Sequence, residues 1–142
     1  MNAVWSPVGV RARRSELLAE LFLQELKPKF LTRPTHDLGF DFLVGFTNSR
    51  GGVNTFVVEV KSTEQSVLSF FAIDRGLYSR MVNSNVPAFL LIVDVKSNKI
   101  FCGWPERGHS SVNGGPGTIR VAVTEMNNLT RGALRERLLK AD

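Results

Sequence analysis

One cysteine, two histidines and one tyrosine are all that 142 residues hold of those types. A single Cys102 excludes an intramolecular disulfide and any cysteine-based zinc cluster, and fits a reducing, cytoplasmic setting. His36 and His109 stand alone in the sequence, so neither is assigned to a metal. Long apolar runs are missing too. The longest, Val86 to Val93, contains Pro87 and is far too short to span a bilayer, so no membrane partner is expected. No apolar core marks a secretion signal near the N-terminus. No internal repeat or linker divides the chain, and its length suits one domain, residues 1–142.

Acidic residues are in short supply. Thirteen Asp and Glu face eighteen Lys and Arg, for a net charge of +5 and a pI near 9.9. Twelve of the basic residues are arginine, whose planar fork donates two hydrogen bonds to a phosphate. That balance favours a nucleic-acid partner over an acidic or neutral one, although a merely basic soluble protein would share it.

The periodicities predict an α/β domain with a mixed sheet. Met1 to Val10 reads as an irregular arm. Residues 12–27 read as a helix with Leu17, Leu18, Leu21, Phe22 and Leu26 as its apolar stripe, stopped by Pro28. A hairpin follows over residues 38–61, then a short strand at Val67 to Ile73. Asp74 caps a second helix carrying Leu77, Tyr78, Met81 and Val82, with Tyr78 as a packing residue. Ala88 to Val95 is apolar throughout and reads as a buried central strand; Ile100 to Trp104 reads as its return. Residues 105–118 hold four glycines from position 108 onward and read as a mobile loop without a phosphate-loop ending. Ile119 to Val123 follows as a short strand, and a last helix covers about 125–140, started by Thr124 or Asn127. The first three strands are expected to form a meander, with the fourth entering after the crossover helix.

Three charges interrupt the hairpin: Asp41 in the first strand, Glu59 and Lys61 in the second. A charge in a half-buried strand is costly unless solvated, paired or metal-bound. Side chains alternate along a strand, so Val57, Glu59 and Lys61 share one face, as do Asp41 and Leu43. A five-residue loop, Asn48 to Gly52, would pair Thr47 with Val53 and set Asp41 opposite Glu59, with Cβ atoms about 5 Å apart. Two carboxylates so placed repel unless a cation lies between them or one is protonated. Two converging acids with a nearby lysine suit metal-dependent phosphodiester hydrolysis. Mg²⁺ takes one or two carboxylates, and a lysine can orient or deprotonate water or stabilise developing charge. The bland alternative is a cross-strand pair at an exposed sheet edge, with Lys61 as a salt-bridge partner. Asp37 reads as a capping or turn residue. Trp5 and Trp104 could stack on bases, but Trp104 reads better as core.

Asp37-Leu-Gly-Phe-Asp41, then Glu59-Val-Lys61-Ser-Thr63, then Pro87 to Asp94 and an aromatic return strand resemble the PD-(D/E)XK, or restriction-endonuclease-like, nuclease superfamily. Among its members the chain is most similar to a bacterial nuclease-like domain of unknown function. The resemblance covers about residues 15–105; Phe40 stands where many members have proline. It implies an α-β-β-β-α-β core and an endonuclease acting on DNA, or less readily RNA, in genome defence or mobile-element biology. It implies Mg²⁺ or Mn²⁺ as cofactor, held by Asp41, Glu59 and the Val60 carbonyl. Lys61 becomes the catalytic lysine and Glu20 the helix glutamate that supports the metal site, in preference to Glu16. Without the resemblance, Glu16 and Glu20 read as a solvated helix face. Gln65, Arg11, Arg13, Arg14, Lys29, Arg33, Arg75 and Arg80 are candidate nucleic-acid contacts, and a homodimer or partner subunit is compatible with the pattern. The alternative function is an inactive module of the same fold that binds nucleic acid or a partner protein.

Overall fold

In the computed structural model, residues 7–34, 39–67, 69–107, 113–115 and 117–141 are described. His36, Asp37, His109 and Trp5 lie outside them. The chain order is α1 (Pro7–Glu25), β1 (Phe30–Thr32), β2 (Phe42–Thr47), β3 (Val53–Thr63), β4 (Phe70–Asp74), α2 (Arg75–Val82), β5 (Ala88–Asp94), β6 (Lys99–Gly103), β7 (Asn113–Gly115), β8 (Thr118–Glu125) and α3 (Asn128–Leu139). The strands form one mixed sheet in the order β1-β2-β3-β5-β6-β8-β4, with β7 also on β8. Only β3 and β5 run parallel; every other pair is antiparallel.

The sheet is covered on both faces. On one, Ala19, Phe22 and Leu23 of α1, Leu26 just after it, and Leu134 and Leu138 of α3 meet Phe42, Val44, Val58, Phe89 and Leu91. On the other, Leu77 and Met81 of α2 meet Leu90, Ile92, Phe101, Val121 and Val123. All seven residues of β5 are therefore buried, as an uninterrupted apolar run requires.

The structure departs from the sequence expectations at several points. Helix α1 begins at Pro7, inside the expected irregular arm, because proline at a first helical position forfeits no helical hydrogen bond. Its buried stripe is Ala19-Phe22-Leu23-Leu26, while Leu17 and Leu21 are 47% and 57% exposed. Two overlapping leucine rows exist on this helix, and only one can face the sheet. The expected meander fails at its third strand. β4 pairs with β8 at the far edge, because the free side of β3 is taken by β5, which buries far more apolar surface there. The expected loop 105–118 contains β7, paired to β8. β8 is eight residues long and joins the two halves of the sheet, and the short strand β1 had no counterpart among the expectations.

Helix ends follow local chemistry. Asp74 accepts the Gly76 and Leu77 N–H groups and starts α2. Asn127 and Thr130 cap α3 reciprocally. No helix among the described residues is long and apolar enough to cross a membrane.

Candidate functional site

The β2–β3 hairpin has the register its turn demands. Asn48 accepts the Arg50 and Gly52 N–H groups through its side chain, and Gly51 takes the positive φ of 83° that closes the loop. Thr47 then pairs with Val53, and the ladder runs unbroken to Phe42 opposite Val58. One further step sets Asp41 beside Glu59, on the face that carries α2. Glu59 and Lys61 align with Leu90 and Ile92 of β5, which pack against α2 on that face.

β2 ends where the site begins. Gly39, at φ 84°, turns the chain, and among the described residues β3 continues past Val58 with no paired strand on that side. The Asp41 N–H donates to the Val58 carbonyl at 3.0 Å, and Asp41 Oδ2 accepts the Val60 N–H at 2.8 Å. On β3 the odd residues bond toward β5, as Val57 N–H to Pro87 and Thr63 carbonyl to Val95 N–H do. The Val60 carbonyl therefore lies on the Asp41 flank with its own N–H.

Glu59 is nearly buried, at 9% exposure. Its carboxyl pKa is pushed up to about 7, first by burial, then by the charge of Asp41 and a hydrogen bond with it; Lys61 and Arg80 oppose the shift. Lys61 Nζ lies 3.7 Å from Glu59 Oε1 and is partly open to solvent. Two carboxyl groups in hydrogen-bond contact, one nearly buried and inclined to keep a proton, form a donor set that a hard divalent cation fits. The cation would take the proton's place between them, with the Val60 carbonyl as a third oxygen. Among the described residues no cluster of three or more His, Cys, Asp or Glu side chains forms. Two carboxylates are within what Mg²⁺ ordinarily takes.

The remaining candidates scatter. Glu20 sits on α1, across the sheet from Glu59, and makes no ion pair among the described residues. Its neighbour Glu16 is taken by Arg13 and Arg33. Arg33 also lies over the Phe42 ring, 5.7 Å from its centre. Arg11 pairs with Glu64 at 3.5 Å, and Arg14 donates to Asn98. Lys29 and Gln65 are exposed, each anchored through its backbone N–H, to Gly45 and Thr63 respectively. Arg75 begins α2, its N–H bonded to Gly117. Arg80 differs from these: its Nη2 donates to the Gly39 carbonyl at 3.4 Å, two residues from Asp41. The sequence marked Arg80 as one of several candidate nucleic-acid contacts and did not set it beside Asp41 and Glu59. The helical phase of Leu77 and Met81 was the available clue, but it needed the knowledge that α2 packs on the Glu59 face.

Other reactive groups are spoken for. Burial pushes the Cys102 thiol up to about 12, so it is no nucleophile near neutrality. Trp104 packs on Phe56 and Phe89, with Arg137 stacked 3.7 Å over its ring. A groove beside it, lined by Asn54, Phe56, Glu136 and Arg137, lies at the opposite end of β3. Two of its polar groups are engaged: Asn54 donates to the Leu138 and Lys140 carbonyls, and Arg137 meets Glu106. No protein-family model matches the chain, and no curated protein matches its sequence.

Proposed function

We propose that the chain is a restriction-endonuclease-like domain that hydrolyses phosphodiester bonds in DNA with Mg²⁺ or Mn²⁺. The observation that carries the reading is the Asp41–Glu59 pair: two carboxyl groups in contact on one sheet face, with Lys61 beside them. The run of α1, the antiparallel meander β1-β2-β3, then α2 and β5 parallel to β3 supports the fold assignment, with β4 as an addition at the far edge. The basic balance of the chain supports a nucleic-acid substrate.

Asp41, Glu59 and the Val60 carbonyl would hold the cation. When bound, it polarises the phosphate and lowers the pKa of water. Lys61 contributes its Nζ protons: one can be donated to the developing oxyanion, or the amine can take a proton from the attacking water. The backbone bond from Val60 to Asp41 holds one carboxylate in place before substrate arrives, which lowers the ordering cost of assembly. Glu59 carries no net charge while it keeps its proton, so the hydrolytic form is the deprotonated one.

The test is cleavage of plasmid and oligonucleotide DNA with Mg²⁺ or Mn²⁺ by the wild type beside Asp41→Ala. Metal-dependent cleavage lost in the variant is expected. Intact substrate with wild-type protein at every metal concentration would sink the proposal, and binding without cleavage would favour the inactive module.

A further inference from the structure

Arg80 has no part in holding a metal, yet it stands at the site. Helix α2 carries it rigidly, since Leu77 and Met81 are buried in the core and Asp74 caps the first turn. Its guanidinium lies so close over Gly39 that a Cβ there would come within 3.0 Å of Nε. The side chain is otherwise exposed, and its bond to the Gly39 carbonyl is long, at 3.4 Å. Its charge reaches Glu59.

The charges at the site set what can occupy it. A divalent ion would balance Asp41 and Glu59 in full. Among the described residues, Lys61, from β3, and Arg80, from α2, would then remain as two uncompensated cations on one sheet face. A guanidinium cannot ligate a cation, but its fork matches a phosphate. We infer that Arg80 grips a backbone phosphate of the nucleic-acid strand held against Asp41 and Glu59. The inference rests on the nuclease reading for the identity of that strand.

The experiment compares wild type, Arg80→Ala, Arg80→Lys and, as a surface control, Arg50→Ala at the far tip of the hairpin. Each is measured for binding to a short DNA duplex over a range of salt without metal, for Mn²⁺ binding by calorimetry, and for cleavage. Arg80→Ala should weaken DNA binding about tenfold and make the salt dependence shallower by about one phosphate contact, with Mn²⁺ affinity unchanged. Arg80→Lys should restore the salt slope but only part of the affinity, because the fork is gone. Arg50→Ala should match wild type. Equal DNA affinity and slope in Arg80→Ala overturns the inference. So does a joint loss of Mn²⁺ and DNA binding, which would make Arg80 a prop for the Gly39–Asp41 turn. A wild type that binds DNA through Arg80 but never cleaves it upholds the inference and removes the hydrolase reading. A wild type that neither binds nor cleaves removes both.

Discussion

Asp41 takes the place in the sheet that β2 leaves empty: its carboxylate accepts the Val60 N–H at 2.8 Å, where a strand carbonyl would otherwise stand. The same side chain crowds Glu59 and raises its pKa. Asp41 is thus stabilising through its hydrogen bond and destabilising through its charge, and substitution can separate the two.

Asp41→Asn keeps an acceptor for Val60 and removes the charge; Asp41→Ala removes both. In metal-free protein, Asp41→Asn should equal or exceed wild-type stability near pH 8. Asp41→Ala should fall below Asp41→Asn by about 1–3 kcal/mol, the usual cost of orphaning a partly buried N–H. Urea denaturation of the three proteins measures this. Equal stability of the two variants would mean that the Val60 bond contributes nothing.

The pH dependence has a definite sign. Glu59 shifts from 4.5 to about 7 on folding, so between those values the folded state binds more protons than the unfolded one. Stability of the metal-free protein should therefore fall as pH rises from about 4.5 to about 7, and this contribution levels off above that. The full contribution is on the order of 3 kcal/mol. Thermal melting of wild type and Glu59→Gln across this range is the check; the variant should lack the slope. A divalent ion that displaces the proton should stabilise wild type more at pH 8 than at pH 6, and Glu59→Gln little at either.

The hairpin was legible because its determinants are local. Asn48, Gly51 and Gly52 fix the turn, and alternation then fixes which residues share a face. The buried run at 88–94 and the Asp74 cap were equally local. What was not legible depends on competition between distant segments. β4 could sit beside β3 by sequence, but β5 wins that place because its side chains are apolar on both faces. The outward Leu17 and Leu21 look like core until the sheet selects the other stripe. At the site, Asp41 stands one residue before β2 and Glu59 and Lys61 on β3, so alternation made them readable. Arg80 comes from a helix whose own apolar stripe was readable but whose place on the Glu59 face of the sheet was not.

The edge of the sheet offers a packing test. Phe30 of β1 stands opposite Gly45, and its ring fills the space a side chain would take: a Cβ at Gly45 would lie 2.1 Å from Cε2. Gly45→Ala must displace the ring and should cost about 1–3 kcal/mol. Gly45→Ala with Phe30→Leu should recover part of that loss, because the clashing edge is removed. Chemical denaturation of the single and double variants measures the coupling, and additive effects would show that the ring and Gly45 are independent.

Lys61 gives the sharpest separation of chemistry from folding. Its side chain is 43% exposed, and its one ion pair among the described residues, to Glu59, is long at 3.7 Å. Below pH 7, where Glu59 keeps its proton, removal should therefore leave the melting temperature close to that of wild type, because a partly exposed lysine facing an uncharged carboxyl group makes no full ion pair. The same removal takes away the only lysine beside the two carboxyl groups among the described residues. Lys61→Ala should lower the cleavage rate about 100-fold or more, the range expected for loss of a general acid–base or charge-stabilising group. Mn²⁺ should still bind, because neither Asp41 nor Glu59 is altered. Single-turnover cleavage and calorimetric metal binding on the same preparation distinguish the outcomes. A variant that cleaves at the wild-type rate would mean that Lys61 is only the ion-pair partner of Glu59.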